Sequence, residues 1–511
     1  MNSKYSDNKR IAKNTALLYI RMIFVLFVSL YTTRVILNTL GVVDYGIYSV
    51  VGGFVAMFTF FNATMIQSVQ RFFNYERGVN GDESEKLVYN TAIYIQLGMA
   101  VTLLLILETL GLWYVNNIMV IPEGRISAAN IVYQFTVISL VLVVLQIPYS
   151  SAILAHEKMD FYAWVSILDA VLKFLIVIIL PYFPSDKLIV YGVLVFFIGV
   201  VNFLLNFCYS KKKFKHLVFS GIFNKDLFMS MLSFSGWNIL DMFAYTLKGQ
   251  GGTLLINAYF GPMVNAARGI SMQIMSAVQG FSANVMTAFK PQLVESYAKD
   301  EQQRVKSLFF NMSKISYAFF YVLSVPIVLE LDYILNLWLD GNVPIYTIPF
   351  TVLCLADMLI CSLNTPLSYV AQAVGIIKRF NYIRSIVITA IIPLSWLFLY
   401  LGADATVVYW VSLVMVIINQ PISMWLLHEI YDYSYREYAK KILRPISIIS
   451  IIIAISTYIP HFLLPQGFIR VLIVVMTDVV ISCISAYYIM LEKSERTKII
   501  QVVRNKFNIK N

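Results

Sequence analysis

Apolar residues run along this chain in blocks of about 20, separated by short polar stretches. A block of that length crosses the hydrocarbon core of a bilayer as a single helix. The pattern predicts fourteen spans, at residues 15–40, 46–69, 88–112, 127–155, 161–181, 188–210, 229–259, 263–289, 307–328, 346–374, 381–401, 405–428, 443–464 and 468–491. An even number of spans puts both termini on one side. The polar, basic stretch from Met1 to Lys13 is expected to be a cytoplasmic tail, because it lacks the short apolar region and small-residue site of a cleaved signal.

The pattern also repeats. Leu145-Gln146-Ile147-Pro148-Tyr149-Ser150 ends one apolar run, and Leu363-Asn364-Thr365-Pro366-Leu367-Ser368 ends another 218 positions later. Ala155 then matches Ala373, and Phe161 matches Phe380. Gly41 and Gly261 are 220 apart; Arg71 and Lys290, like Glu76 and Glu295, are 219 apart. Helix ends favour Gly and Pro in any case, which accounts for single matches. A near-constant offset across several landmarks points instead to a duplicated unit. Spans 1–6 and 7–12 then form two parallel repeats related by an axis along the membrane normal. The expected organisation is an N-lobe at 1–220, a C-lobe at 221–430 and two further helices with a tail at 431–511. Pro148 and Pro366 fall at equivalent places, and each removes a backbone donor. They are candidate hinges, against the plainer reading of static kinks.

Composition agrees with an all-α integral membrane protein. Hydrophobic residues make up 59% and charged residues 13%, about half the charged share of a soluble domain. The net charge of +11 could suggest nucleic acid, but its distribution argues otherwise. With the N-terminus cytoplasmic, 30 of the 39 Lys and Arg fall on cytoplasmic segments. The outer loops carry only Arg125, Lys187 and Arg470. This is the positive-inside bias. The Lys211–Lys215 run is therefore a topology anchor near anionic lipid heads, and no nucleic-acid partner is expected. Trp113, Trp338, Trp396 and Trp425 fall near span ends, as interfacial aromatics do. Cys208, Cys354, Cys361 and Cys483 lie in apolar runs without CxxC spacing and are expected to be apolar fillers.

Catalytic signals are scarce. His156, His216, His428 and His461 form no HExxH or paired metal spacing, so neither metal nor cofactor is expected. Gly249-Gln250-Gly251-Gly252 lacks the Lys-Ser/Thr of a phosphate loop and is expected to let helices approach closely. ATP hydrolysis is not indicated. What remains is charge inside the spans: Arg21, Arg34, Lys173, Lys248, Arg268 and Lys314, with Glu108, Asp169, Asp241, Asp357 and Asp478. Each costs about 2.5–3.5 kcal/mol near the bilayer centre on insertion scales, so each must pair, snorkel or face water. Asp169 and Lys173 are i, i+4 and can satisfy each other. Arg21 and Lys314 lie near the cytoplasmic face and can snorkel. Arg34, Lys248 and Arg268 have no acid within a turn on their own helices. Cations so placed suit an anionic ligand, Arg by a planar fork and Lys by a point charge. Arg34, Lys248, Arg268 and Arg21 are therefore candidate substrate-binding residues. Asp241, Asp169 and Lys173 are candidates for ion coupling.

Three stretches carry a family resemblance. Arg34-Val-Ile-Leu-Asn-Thr-Leu-Gly41-Val-Val-Asp44-Tyr45-Gly46-Ile-Tyr resembles the end of the first span in bacterial polysaccharide-unit flippases. So does Lys248-Gly-Gln-Gly-Gly with Phe260-Gly261-Pro262-Met263-Val264-Asn265-Ala266-Ala267-Arg268-Gly269-Ile270, completed by Pro291-Gln292 and Glu295-Ser296-Tyr297-Ala298. The chain resembles a Wzx-type O-antigen or capsule flippase of the multidrug/oligosaccharidyl-lipid/polysaccharide exporter superfamily. The resemblance implies two six-helix lobes around a central cavity. It also implies an undecaprenyl-pyrophosphate-linked oligosaccharide substrate, flipped outward across the bacterial inner membrane. It names a polysaccharide polymerase and a chain-length regulator as partners to look for. The related lipid II flippases use cavity arginines on the first and eighth spans, which Arg21 or Arg34 and Arg268 match by helix alone. Spans 13 and 14 would by analogy shape a groove for the lipid tail.

Two other functional classes fit parts of the sequence. A multidrug extruder of the same superfamily needs a buried acid that cycles protons, for which Asp241 or Asp357 would serve. A membrane polymerase or sugar transferase needs a large outer loop, and these outer loops are short.

Overall fold

The structure is a computed structural model that describes residues 2–79, 82–156, 158–298, 300–490 and 496. Every regular element among them is helical. In chain order they are α1 (Asn2–Ala56), α2 (Phe60–Val79), α3 (Asp82–Ile106), a π-helical turn at Leu107–Gly111, α4 (Leu112–Asn117), α5 (Ile126–Ala155), α6 (Met159–Ile179), α7 (Lys187–Lys213) and α8 (Lys225–Thr246). A second π turn, Leu247–Gly251, leads into α9 (Gly252–Ala298). Then come α10 (Gln302–Leu329), α11 (Leu331–Leu339), α12 (Thr347–Val374), α13 (Lys378–Thr389), α14 (Ile391–Tyr400), α15 (Val407–Ile430) and α16 (Tyr435–Tyr438). A π turn at Ala439–Leu443 precedes α17 (Arg444–Leu463) and α18 (Phe468–Ser485), and the last π turn is Ala486–Met490.

Eleven helices among the described residues are long and apolar enough to cross a membrane. The fourteen expected spans fall on largely helical stretches, the second split by the turn between α1 and α2 and the eleventh by a break at Ala390 between α13 and α14. The short α11 was not foreseen. On α18, Phe468, Ile469, Leu472 and Met476 lie open to the surroundings. An apolar face of that kind suits lipid, and helices carry their own backbone hydrogen bonds into it.

The chain packs as two compact units. The first comprises Met1–Ile270, Trp338–Thr347 and Asn381–Ser412; the second comprises Ser271–Leu337, Ile348–Phe380 and Leu413–Asn511. These are units of packing, whereas the division at 220 and 430 concerns duplication of the chain.

In the first unit, Val50 and Val51 of α1 pack with Leu103, Val132, Val137 and Leu188. A second cluster joins Val69, Phe73, Val88, Ile153 and Phe214. The 218–220 offset recurs in local geometry here. Both α1 and α9 break at a glycine, Gly41 with φ 81° and ψ 167° and Gly261 with φ 75° and ψ −174°. That region of backbone space is essentially reserved for glycine. A Cβ at Gly41 would meet no atom within 4 Å, so any penalty there is purely conformational. Gly41→Ala is expected to lose about 1–3 kcal/mol, measurable as a lowered Tm in detergent.

Asp186 and Asp404 stand 218 positions apart, and each accepts hydrogen bonds at the start of a helix. Asp186 accepts from the amides of Leu188 and Ile189 at 3.0 and 3.5 Å and from Arg125 Nη1 at 2.6 Å. Asp404 accepts from the amide of Thr406 at 3.2 Å and from the Tyr346 hydroxyl at 2.6 Å. Arg125 also donates through Nε to Asp44 at 2.9 Å, so one guanidinium ties three segments together. Burial works against the charged form of Asp186, but Arg125 and the two amides outweigh it and hold its carboxyl below the ordinary 3.8. A lowered folded value means a contribution present above pH 3.8 and lost as pH falls through the folded value. The wild type is therefore expected to lose Tm more steeply below pH 3.8 than an Arg125→Gln variant, measured by thermal scans across acid pH.

In the second unit, Val278, Phe320 and Leu355 form a small apolar cluster. Arg379 pairs with Glu429 at 2.8 Å and lies over the Trp425 ring. At the far end, Glu330 is fully buried between Arg470 and His461.

Candidate functional site

The site begins with a local irregularity. The π turn at Leu247–Gly251 holds one more residue than an α turn, which takes carbonyls out of the regular ladder and offers them to other donors. Arg268 of α9 uses one of them: Nη2 donates to the Gly249 carbonyl at 2.5 Å, and Nε donates to Thr253 Oγ1 at 2.9 Å. The guanidinium carbon lies 5.0 Å from the centre of the Tyr409 ring, within cation–π range. Arg268 is 5% exposed, and no carboxylate among the described residues pairs with it. Its charge is thus held by a carbonyl, a hydroxyl and a ring face. These orient the fork without neutralising it.

The glycines explain how the guanidinium reaches the backbone. A Cβ at Gly252 would stand 2.7 Å from Arg268 Nη2 and 3.2 Å from Val408 Cγ1; one at Gly251 would stand 2.8 Å from Ile392 Cδ1. Gly251 and Gly252 are therefore places of close approach, whereas a Cβ at Gly249 would meet no atom within 4 Å. Gly252→Ala is expected to displace the guanidinium and cost about 1–3 kcal/mol by overpacking, read as a lowered Tm. Lys248 lies half-buried on the turn whose Gly249 carbonyl accepts from Arg268. The first and last π turns are used alike. The Tyr133 hydroxyl donates to the Leu107 carbonyl at 2.7 Å, and Lys314 Nζ donates to the Met490 carbonyl at 2.8 Å. Lys314 is buried and does not snorkel as its position suggested.

The other candidates lie in separate surroundings. Arg34 Nη2 is 3.2 Å from Asp340 Oδ2, with side chains 35% and 67% exposed. A pair that open to its surroundings is worth at most about 1 kcal/mol in water, so it leaves Arg34 able to exchange partners. Nearby, Trp338 Nε1 donates to the Leu30 carbonyl at 2.6 Å and Asn342 donates to Asn38 at 3.2 Å. These bonds hold the Trp338–Thr347 segment against α1. Lys173 Nζ is 2.8 Å from Asp169 Oδ2, and Asn202 donates to Asp169 Oδ1 at 2.7 Å; that acid has two donors of its own. Pro148 and Pro366 lie inside the continuous helices α5 and α12. The side chains of Arg21 and Asp241 lie outside the described residues.

Sequence reasoning passed over two groups. Arg384, counted with the cytoplasmic loop charges, is 2% exposed and donates through Nη2 to the Tyr245 hydroxyl at 2.9 Å. Hydropathy placed it near a span end and gave no sign of burial. Asp478, one of the intramembrane acids, is buried, with no cation pairing it among the described residues; the Thr457 hydroxyl is the side-chain group beside it.

No family model and no curated protein sequence matches the chain. Solved structures do. A lipid II flippase MurJ in an inward closed conformation superposes with a TM-score of 0.65 at 15% identity, covering 93% of this chain and 98% of that one. An inward-facing multidrug resistance MATE family transporter of the MOP superfamily gives 0.60 at 11% identity, covering 81% and 99%. An outward-facing one gives 0.57 at 13%, covering 83% and 97%. At such identities the likeness establishes architecture: this chain has the all-helical fold shared by the MurJ and MATE structures.

Proposed function

We propose that this protein is a flippase that moves a polyprenyl-pyrophosphate-linked oligosaccharide from the cytoplasmic to the outer leaflet of a bacterial inner membrane. The observation that carries the reading is Arg268, a buried guanidinium oriented by Gly249 and Thr253 with no carboxylate among the described residues to cancel its charge. A low-dielectric site strengthens its pull on an anion, and the planar fork fits two phosphate oxygens. In this reading Arg268 and Lys248 receive the pyrophosphate. Arg34 and Arg21 assist along the path, and the sugars follow through a polar cavity between lobes 1–220 and 221–430. The helices of 431–511 border the lipid tail. Alternating access would bend at Pro148 and Pro366, with Asp169, Lys173 or Asp241 coupling an ion. Both termini are cytoplasmic, and a polymerase and chain-length regulator are the downstream partners. No chemical step is assigned to the chain.

The MurJ structure covers more of this chain than the MATE structures do, which favours a lipid-linked substrate. One observation favours a second reading, a multidrug antiporter: the buried carboxylate of Asp478, which no cation pairs among the described residues, is suited to an exchanged proton. Proteoliposomes separate the two. Flipping of a fluorescent polyprenyl-pyrophosphate oligosaccharide is expected, without proton-driven uptake of a cationic dye; the opposite result would replace the first reading with the second.

A further inference from the structure

Three side chains far apart in sequence meet in the first unit. Glu85 lies in the first turn of α3, His156 caps the C-terminus of α5, and His216 lies in the turn after α7. Glu85 is 1% exposed. His216 Nε2 is 2.9 Å from Glu85 Oε2, and His156 Nε2 is 3.3 Å from Glu85 Oε1. One ligand atom from each residue can be chosen so that all three lie within 4.8 Å of one another.

The tautomer of His156 makes this more than a hydrogen-bonded cluster. Its Nδ1 sits 2.9 Å from the Ala152 carbonyl, and a carbonyl can only accept, so Nδ1 carries the proton. In the neutral ring Nε2 then bears a lone pair, and it faces Oε1, a buried oxygen that accepts no hydrogen bond among the described residues. Two lone pairs at 3.3 Å repel unless a cation serves both. Zinc bound to nitrogen and oxygen at about 2.0–2.2 Å in tetrahedral geometry spaces neighbouring ligand atoms by about 3.3–3.6 Å. A backbone carbonyl on the far ring nitrogen is also the usual support of a metal-bound histidine. The Phe214 ring packs against the His156 ring at 4.2 Å, tilted by 32°, and restricts its rotation. The side chains of His156 and His216 are 17% and 33% exposed, which leaves an ion a route in.

We propose that Glu85, His156 and His216 bind one divalent transition-metal ion of the zinc class, two imidazole nitrogens and a carboxylate being a ligand set such ions favour. The ion braces the start of α3 and the end of α5 against the loop that joins α7 to α8. The site does not depend on the transport reading.

The test uses the full chain, purified in detergent and stripped with a chelator. Titrated zinc is expected to bind at one ion per chain with a rise in Tm, and cobalt in its place is expected to give the intense visible bands of a tetrahedral site. His156→Ala with His216→Ala is expected to bind none and to show no zinc-dependent rise in Tm. Because the double variant could fold poorly, His216→Gln alone, at the more exposed ligand, is the second variant; its zinc affinity is expected to fall at least tenfold. Undiminished stoichiometry in both variants would overturn the proposal. So would a wild type whose Tm shifts between about pH 5 and 8 identically with and without zinc, since protons alone would then satisfy the cluster.

Discussion

Replacing Arg470 with alanine is expected to destabilise the second unit by about 3–5 kcal/mol, the usual loss when one partner of a buried ion pair is removed. Glu330 is fully buried, and its Oε2 accepts from Arg470 Nε at 3.0 Å and Nη2 at 2.8 Å. Oε1 lies 2.8 Å from His461 Nδ1. Truncation of Arg470 leaves a carboxylate in an apolar interior with a single histidine beside it. The damage should therefore depend on the charge that stays behind. An Arg470→Ala, Glu330→Gln double variant is expected to recover part of the loss, and a double-mutant cycle on denaturation curves isolates that coupling. A single-variant loss below about 1 kcal/mol would show instead that solvent already screens the pair.

On the flippase reading proposed above, replacing Arg268 with alanine is expected to lower the affinity for a pyrophosphate-linked lipid by about 2–5 kcal/mol, roughly 30-fold or more, with transport in proteoliposomes falling in parallel. Arg268→Lys keeps the charge but gives up the fork set by Gly249 and Thr253, so an intermediate loss is expected. Since the native side chain also makes interior hydrogen bonds, binding is to be compared per folded molecule, with Tm recorded for each variant. Wild-type affinity in folded Arg268→Ala would remove the docking role while leaving the fold assignment intact.

How much of this could be read in advance depended on the range of the interactions. Spans were legible because a 20-residue apolar block has one physical outcome in lipid. The breaks at Gly41 and Gly261 were legible because a glycine that ends a helix leaves a local mark, and the repeat offset paired them. The Asp169–Lys173 contact was legible because helical spacing alone brings i and i+4 together. The partners of Arg34, Glu330 and Glu85 were not, since Asp340, Arg470, His156 and His216 come from distant segments whose register no local pattern sets. The π turns were equally silent. They contain ordinary residues, and an extra residue in one turn changes neither composition nor hydropathy. Arg384 shows the limit of charge counting: a cation near a span end looks the same whether it meets water or a tyrosine.

The wide turn at Leu247–Gly251 also acts as a phase shifter. One residue corresponds to about 100° of helical rotation and 1.5 Å of rise. Excising Gln250 would let the ladder close normally and would swing the Gly249 carbonyl about a quarter-turn away from the guanidinium it now holds, because Thr253 and Arg268 both follow the turn. Chains that keep this length while varying freely in sequence around it would preserve the aim of Arg268. A chain one residue shorter would have to find another acceptor for the guanidinium to face the same direction.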